Sequence, residues 1–325
     1  MYDFTILVLR GAFASGVAAT LDLLRAAAEI APRLKVPPPR WRVVGPRPGS
    51  VSLGNGMTLK VTGLPMEAGD RSVWVVAGLG TDSVESLEAR LVQADARRAS
   101  RALHDHLRQG GRVAAACASV FLLGDAGALA GRRVTTSWWL APLLQQREPR
   151  CIVAADRMVC VDGPVTTAGA AFAQTDLMLH LLQVGFGEPM ANLLRRLMLI
   201  DAREAQAPYA IPAMLAGGDA LMARLAARIE SALPTPPSMA ALAREFAMSE
   251  RTLARRVRAA NGLTPLALLQ GIRLNRARTL IESNRMTIDQ VAAAVGYDDA
   301  TALRRLMRRW AGVSPSHFRP QRGSP

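Results

Sequence analysis

The sequence predicts two parts of different fold class, an α/β part with a doubly wound, mostly parallel sheet and then an all-α part with two helix-turn-helix units. Strand and helix patterns alternate over residues 1–200, whereas everything beyond the proline-rich segment 233–238 has helical periodicity. A length of 325 residues suits two domains better than one. With 50% hydrophobic and 20% charged residues, the chain is not a disordered polyelectrolyte.

The α/β part begins with a strand in DFTILVL, followed by a helix over residues 15–31 for which Ser15 is the expected N-cap. Further strands are predicted in WRVVG, VWVVAG and RVAAAC, and a helix in ASRALHDHLRQGG ends at its glycines. The later elements are a short strand at Arg132–Thr136, a hairpin of Ile152–Val153 with Met158–Val161, and a helix from about Ala170 to Val184. Strands separated by helices of this length indicate a parallel sheet covered on both faces.

Positive charge is concentrated in the last third of the chain. The sequence has 40 Lys+Arg against 26 Asp+Glu, a net charge of +14, and all but two of the cations are arginines. Residues 217–325 have a net charge of +9, against +5 for residues 1–216. Arginine is the side chain suited to phosphate groups and guanine edges. The distribution favours a polyanionic partner, and an arginine-rich genome is the alternative explanation.

Nothing in the sequence indicates export or membrane insertion. The apolar run Phe4–Leu9 follows Asp3 and suits a strand better than a signal peptide. The longest apolar stretch, Val113–Leu123, is about half as long as a membrane span. The three cysteines form no CxxC pair, which suits a reducing compartment. We therefore expect a cytoplasmic protein without a membrane partner, and the sequence predicts no metal site and no cofactor.

Part of the C-terminal region repeats itself at an offset of 50 residues. The shared pattern L-x-R-x-[apolar]-R-x3-G-x-[ST]-P begins at Leu253 and again at Leu303. Such self-similarity indicates one supersecondary unit used twice. In the first copy, residues 239–246 form a short helix, residues 247–248 turn the chain, and Ser249 is expected to cap a second helix.

The second copy has the same helix-turn-helix pattern. Thr287 is expected to cap IDQVAAAV, residues 296–297 form the turn, and a helix follows from about Asp299. In both copies the second helix is rich in arginine, as in a helix that enters a major groove. The alternatives are an ordinary bundle with a solvated arginine face and an architectural nucleic-acid binder that uses charge alone. Two copies at fixed spacing argue against both.

Residues 248–281 and 287–319 resemble the AraC/XylS-type DNA-binding domain, most specifically in the segments VGY and GVSPSHFR. The resemblance implies two helix-turn-helix units, joined by a long helix at about Pro265–Ser283, that bind adjacent major grooves on one face of DNA. Leu303 and Met307 stand where phenylalanines are common, so only the packing is expected to differ. The implied DNA-binding residues are Arg251, Thr252, Arg255 and Arg256 in the first unit and Thr301, Arg304, Arg305 and Arg308 in the second.

A cysteine stands at a predicted strand-to-helix turn of the α/β part. RVAAA ends at Cys117, and ASVFLLGDAGAL begins a helix whose dipole is expected to favour a thiolate. The segments CASVFLLGDAGALAGRRVTTSWW and VDGPVTTAGAAFAQTDLMLHLL resemble the PfpI-like domain of the class I glutamine amidotransferase-like fold, a flavodoxin-like α/β architecture. In particular they resemble the regulators of the GlxA type, which have this domain ahead of an AraC domain. The resemblance covers residues 3–200, most strongly 113–184.

The resemblance gives the cysteine no catalytic base. Enzymes of the family combine the cysteine with a histidine and a carboxylate, yet Ala118 and Ser137 stand where histidines are found in relatives. The first carboxylate after the first strand is Asp22, later than the family's acid. All four histidines are expected to be surface or packing residues: His104, His106, His180 and His317. We therefore predict no enzymatic activity, and the alternative is a cysteine-dependent hydrolase or glyoxalase-type enzyme fused to a DNA-binding domain.

A ligand crevice is expected where loops converge at the carboxyl ends of the parallel strands. Trp138 and Trp139 are an aromatic wall for a cationic ligand in one interpretation and packing residues in the other. Cys117 likewise either lines the crevice or fills a core. The candidate effector-binding residues are Phe13, Ser15, Leu79, Cys117, Ala118, Ser137, Trp138 and Gly169.

The resemblances together imply a sensor domain at residues 1–200, a linker at 201–220 and a DNA-binding domain at 221–325. They imply sequence-specific transcriptional regulation controlled by a small-molecule effector. The expected partners are a double-stranded DNA operator, the effector, a second copy in a homodimer, and RNA polymerase if the protein is an activator. On its operator the protein would be associated with the nucleoid.

Overall fold

The computed structural model describes residues 2–65, 69–200, 220–261, 264–283, 286–311 and 314–319. The chain divides into two compact units, residues 1–203 and 204–325. The predicted linker, apart from its last residue, lies outside the described residues. None of the helices within the described ranges combines the length and apolar character that crossing a bilayer requires.

The first unit alternates strands with helices. Its elements are, in chain order, β1 (Phe4–Leu7), α1 (Ala14–Ile30), β2 (Trp41–Val44), β3 (Gly49–Ser52), β4 (Thr58–Val61), β5 (Val73–Val76), α2 (Val84–Leu91), α3 (Ala94–Arg108), β6 (Arg112–Ala116), α4 (Val120–Asp125), β7 (Arg133–Val134), α5 (Ala141–Arg147), β8 (Ile152–Val153), β9 (Val159–Asp162), β10 (Val165–Ala168), α6 (Ala173–Phe186) and α7 (Glu188–Leu197). Short 3-10 turns at Ala31–Leu34 and Cys117–Ser119 follow α1 and β6.

Six of the strands form one sheet in the order β2-β1-β5-β6-β10-β9. All neighbours are parallel except β9 and β10, which form an antiparallel hairpin. Because side chains alternate along a strand, Ile6 and Val75 enter a core with α1, α6 and α7, while Leu7 and Val76 enter a second core with α2, α3, α4 and α5. This arrangement confirms the predicted α/β class with a sheet covered on both faces.

One predicted hairpin is wrong. β8 does not pair with β9 but lies parallel to β7 in a separate two-stranded sheet, while β9 pairs with β10. The turn of the observed hairpin is Gly163-Pro164, and Gly163 has a φ of 58°, a left-handed conformation that glycine adopts without strain. The hairpin of β3 with β4 and the helices α2, α5 and α7 lie outside the predicted elements.

The predicted cap of the first helix is also wrong. α1 begins at Ala14, one residue before Ser15, and the N-cap position belongs to Phe13, without a side-chain cap. Tertiary contacts fix this start, because the Phe13 N–H donates to the carbonyl of Gly78 at 2.7 Å and Ala12 bridges to Leu79. Ser15 is therefore an exposed residue of the first helical turn.

The second unit is helical throughout its described residues. Its helices are α8 (Ala220–Ser231), α9 (Met239–Glu245), α10 (Glu250–Asn261), α11 (Pro265–Ser283), α12 (Ile288–Ala294) and α13 (Ala300–Ala311), and a 3-10 turn follows at Pro315–Phe318. Leu268 and Ile272 of α11 pack in a core with α8, α9 and α10. Leu274 and Ile281 of the same helix pack in a second core with α12 and α13. The long helix predicted at Pro265–Ser283 thus belongs to both helix-turn-helix units.

Gly296 ends α12 in a way that only glycine allows. Its φ is 80°, and a Cβ at this position would overlap the carbonyl oxygen of Pro234. The turn of the second helix-turn-helix therefore contacts the proline-rich segment directly. A side chain here would therefore have two effects: it would strain the backbone, and it would displace Pro234.

A polar network closes the amino-terminal ends of strands β1, β2 and β5. Asp70 Oδ2 accepts hydrogen bonds from Arg42 Nη2 at 2.6 Å and from Trp74 Nε1 at 2.8 Å. The Trp74 ring stacks on His106, with centroids 4.7 Å apart, and His106 Nε2 lies 3.1 Å from the carbonyl of Ser72. Burial raises the pKa of Asp70, but the hydrogen bonds from Trp74 and Ser72 and the Arg42 charge outweigh it, so the pKa falls below its usual value.

His106 should make the stability of the first unit depend on pH. Burial lowers the pKa of His106 below 6.5 in the folded unit, whereas the unfolded chain binds a proton at its ordinary value. The stability that depends on a neutral His106 is therefore fully present above pH 6.5, and the free energy of unfolding falls as the pH drops below this value. Urea unfolding followed by tryptophan fluorescence between about pH 5 and pH 8 measures this slope.

His106→Gln should reduce that slope, because glutamine can still donate to Ser72 but does not titrate over this range. The slope that remains is expected from His180, whose pKa burial also lowers. The matched control is His104→Gln, an exposed histidine on the same helix, which leaves His106 in place and should retain the slope. An unchanged slope in His106→Gln would show that another group is responsible.

Candidate functional site

The first helix-turn-helix is closed by side-chain caps at both helices. Ser238 Oγ accepts from the N–H of Ala241 at the start of α9. Ala247 forms the turn in a left-handed conformation with a φ of 54°. Ser249 Oγ then accepts from the N–H of Thr252 at 3.2 Å, as predicted for the cap of α10.

The two faces of α10 differ in character. Leu253 and Val257 are buried in the core of the first helix-turn-helix. The predicted contact residues Arg251, Arg255 and Arg256 lie on the exposed face. Thr252 is half-buried, and its hydroxyl lies 2.9 Å from Ser249 Oγ, so this residue also belongs to the cap.

The second helix-turn-helix repeats this construction. Thr287 and Gln290 form a capping box at α12, and Asp299 Oδ1 accepts from the N–H of Ala302 at the start of α13. Leu303 and Met307, where the resemblance implied a difference in packing, are buried in the core of the second helix-turn-helix. The exposed face of α13 presents the four predicted residues Thr301, Arg304, Arg305 and Arg308.

These exposed arginines are available to an external anion. Among the residues that the structure describes, no carboxylate lies within ion-pair distance of the six predicted arginines of α10 and α13. Guanidinium groups on an exposed helix can bind phosphates or guanine edges in a major groove. Arg258 and Arg309 are exposed on the same helices and were absent from the predicted contact set, although the arginine pattern includes them.

In the first unit, four loops meet at the turn around Cys117, which we call the elbow. Cys117 follows β6 with a φ of 58°, and its N–H donates to the carbonyl of Gly169 beyond β10 at 2.8 Å. Its own carbonyl accepts from Thr136 Oγ1 at 2.8 Å. A Cβ on Gly78, just beyond β5, would lie 3.1 Å from the Cβ of Cys117. The elbow therefore lies at the carboxyl ends of neighbouring parallel strands, where such sheets bind ligands.

The thiol of Cys117 is neutral, contrary to the expectation of a thiolate. Burial raises the pKa of Cys117 above its usual value, and the hydrogen bonds from Ser137 and from the Ala118 N–H offset this effect only in part. Ser137 Oγ lies 3.0 Å from Cys117 Sγ. Desolvation of the whole side chain outweighs the start of the short helix beside it.

None of the described histidines hydrogen-bonds to Cys117. His106 is buried between Trp74 and Ser72. His104 Nδ1 lies 2.9 Å from the carbonyl of Ala126. His180 is half-buried in α6, where burial lowers its pKa. The side chain of His317 lies outside the described residues.

The structure brings most of the candidate effector residues together at the elbow, but Ser15 lies apart on α1 and Ala118 is buried in the core. Leu79, Ser137 and Gly169 are buried around Cys117. Phe13 is half-buried, bonded to Gly78 and in edge contact with Phe172 at 5.9 Å. Ala118 is fully buried in the core with α2, α3 and α4, and Trp138 is 8% exposed. Ser15 is exposed on α1.

Two family models match separate parts of the chain. The model of the DJ-1/PfpI family matches residues 86–184, which include the elbow. The model of a helix-turn-helix domain matches residues 242–321, from α9 to the end of the described residues. The two models together account for both of the sites described above.

Two relatives that align with nearly the whole chain are transcriptional regulators. The HTH-type transcriptional regulator CdhR of Pseudomonas aeruginosa is 26% identical over 322 residues, which cover 98% of this chain and 91% of that protein. The HTH-type transcriptional regulator GlxA of Rhizobium meliloti is 27% identical over 323 residues, covering 98% and 95%.

A solved structure supports the fold of the first unit. An AraC family transcriptional regulator from Pseudomonas putida aligns with a TM-score of 0.50 and 18% identity, over 61% of this chain and 100% of that one. The two regulators named above align with 98% of this chain, so both units fall within the similarity. The chain is thus similar along nearly its whole length to DNA-binding transcriptional regulators, and it matches the DJ-1/PfpI family ahead of a helix-turn-helix domain.

Proposed function

We propose that the protein is a sequence-specific regulator that reads its operator with α10 and α13 and responds to a small molecule bound at the elbow. The observation that carries the proposal is the pair of helices α10 and α13. Each has an arginine face with no carboxylate partner among the described residues, and each packs against the same helix, α11. Two such faces held by one helix suit two successive major grooves. This construction favours direct base readout over binding by charge alone.

Arg255 and Arg305 are the proposed base-reading residues. They occupy equivalent positions of the repeat, and each lies on the exposed side of its helix, two residues after a buried leucine. A guanidinium in the major groove can donate two hydrogen bonds to guanine O6 and N7. The remaining arginines of the two faces, together with Thr301, would contact phosphates or neighbouring bases.

The elbow is proposed as a ligand site without chemistry. Its thiol is buried and neutral, Ser137 supplies a hydroxyl beside it, and His104 and His106 have other partners. Without a base, the cysteine cannot be activated as a nucleophile. A small molecule that displaces the loops carrying Gly78, Ser137 or Gly169 would change the hydrogen bonds of the elbow.

One observation favours a second candidate, a cysteine-dependent enzyme. A non-glycine residue with a φ of 58° at the end of a strand is the geometry of a nucleophile turn. The raised pKa of Cys117 and the lack of a described base beside it weigh against this candidate. We therefore propose that the turn serves to shape the crevice.

We also propose that the protein acts in the cytoplasm as a homodimer, associated with the nucleoid when bound to its operator. One DNA-binding domain of the AraC type gives a modest interface for specific binding, and a symmetric dimer doubles it. As an activator it would contact RNA polymerase.

Arg255→Ala and Arg305→Ala should each weaken operator binding by about 1–3 kcal/mol and relax base preference in one patch of the operator. Arg276→Ala is the matched control, because it removes an exposed arginine of α11 that lies outside both recognition helices. Footprinting should show two protected patches about 10 bp apart on one face of the duplex. Patches on opposite faces, or equal losses in all three variants on every sequence, would contradict readout by α10 and α13.

Cys117 should react slowly with iodoacetamide at neutral pH, on the order of tenfold or more below free cysteine, because its thiol is buried and neutral. Peptide mass spectrometry measures the rate, and the same chain in urea provides the accessible reference. Cys117→Ser should leave operator binding unchanged. Fast labelling of Cys117, or a hydrolase or glyoxalase activity that Cys117→Ser abolishes, would favour the enzyme instead.

The full-length protein should sediment as a dimer at micromolar concentrations without DNA. Sedimentation velocity over a range of concentrations measures this directly. A protein that remains monomeric at tens of micromolar would overturn the proposed homodimer while leaving the proposal for α10 and α13 intact.

A further inference from the structure

A second cleft lies on the first unit and shares no lining residue with the elbow. Its volume is about 760 Å³, within the range of small-molecule sites. Residues of α2 and α3 line one side, and Asp125 at the end of α4 and Arg147 at the end of α5 line the other.

The α3 side of the cleft presents three donor side chains, and one of them, Arg101, also donates through Nε to the carbonyl of Arg97 at 3.4 Å. Arg97 and Arg101 lie one turn apart, are exposed, and have no carboxylate within ion-pair distance among the described residues. Ser100 lies between them, is only 5% exposed, and its hydroxyl has no hydrogen-bond partner. A buried hydroxyl without a partner costs free energy, and a bound acceptor would remove that cost.

The positions of these donors are fixed by the surrounding elements. Arg90, at the end of α2, makes a bidentate ion pair with Asp95 of α3 at 2.8 and 2.7 Å, and its Nε donates to the carbonyl of Arg10. This pair holds the corner between α2 and α3. His104 joins α3 to the carbonyl of Ala126 just beyond α4. The α3 wall is therefore ordered before any ligand binds.

On the opposite side of the cleft, the arginine is already paired with a carboxylate. Arg147 pairs with Asp125 at 3.0 Å, and its guanidinium lies 5.9 Å from the ring centre of Phe121. This arginine is already neutralised, and Glu88 is the one other carboxylate among the lining residues. The two positive charges of Arg97 and Arg101 exceed the single negative charge of Glu88, so the cleft has an excess of positive charge. Val92, which is 59% exposed, adds an apolar surface at the end of α2, beside the buried Leu91.

We propose that this cleft binds a small organic anion, whose carboxylate or phosphate is held by Arg97, Arg101 and Ser100 and whose apolar part contacts Leu91 and Val92. Two guanidinium groups and a hydroxyl match the several acceptor positions of one oxyanion. The site is separate from the elbow and does not depend on the proposed DNA readout.

Isothermal titration calorimetry of the full-length protein tests the proposal with hexanoate, acetate, inorganic phosphate and hexanol. Saturable binding of hexanoate or phosphate is expected, and hexanoate should bind more tightly than acetate because its chain reaches the apolar surface. A preference for hexanoate identifies a carboxylate ligand, and a preference for phosphate identifies a phosphorylated one. Amide hydrogen exchange should show protection in the peptides of α3, which separates this site from the arginines of the second unit.

The double variant Arg97→Gln/Arg101→Gln should weaken anion binding on the order of tenfold or more. Ser100→Ala should also weaken it, and the fold should tolerate this change because the hydroxyl has no partner. The matched control is Arg98→Gln/Arg108→Gln, which removes two exposed arginines of the same helix that do not line the cleft. An equal loss in the control, hexanol binding as tightly as hexanoate, or no saturable binding of any anion would overturn the proposal.

Discussion

The sharing of α11 between two hydrophobic cores is the constraint on which the reading of DNA depends. Leu268 and Ile272 belong to the core of the first helix-turn-helix, and Leu274, Ala277 and Ile281 to the core of the second. A helix of 19 residues is about 28 Å long, comparable with one turn of DNA. Moving one recognition helix relative to the other would break one of these cores. The spacing of the two arginine faces is therefore set by side-chain packing and not by loops.

The elbow separates two properties that occur together in cysteine enzymes. Its backbone has the left-handed conformation of a nucleophile turn, held by the bond to Gly169 and the bond from Thr136. Such a conformation costs about 1–3 kcal/mol and persists because several contacts determine it. The ionisation of the thiol is governed instead by burial, which keeps it neutral. The same turn can thus shape a crevice without activating its cysteine.

Patterns that depend on burial along a whole element could be predicted from the sequence. The strands around Ile6 and Val75 are apolar on both faces because both faces meet a core. The repeat predicted α10 and α13, together with the cap of α10 at Ser249 and the cap of α12 at Thr287. Features set by distant contacts could not. The strands β7 and β8 lie within predicted segments, but two residues carry no pattern that could predict their pairing with each other. The bond from Phe13 to Gly78 overrides the expected cap at Ser15, and the second cleft combines residues of four separate helices.

The presence or absence of an acidic partner separates structural arginines from those available to bind an anion, which the number of arginines alone does not do. In the first unit, Arg42 and Arg90 are nearly buried, and each is neutralised by an aspartate at 2.6 and 2.7 Å, so they hold elements together. Within the described parts of the chain, the arginines of α10 and α13 have no such acidic partner, and neither do Arg97 and Arg101 of α3. An unpaired guanidinium keeps its donors available for an anion from outside the chain. Function in this arginine-rich protein is therefore to be sought where the acidic partner is missing, on the recognition helices and in the second cleft.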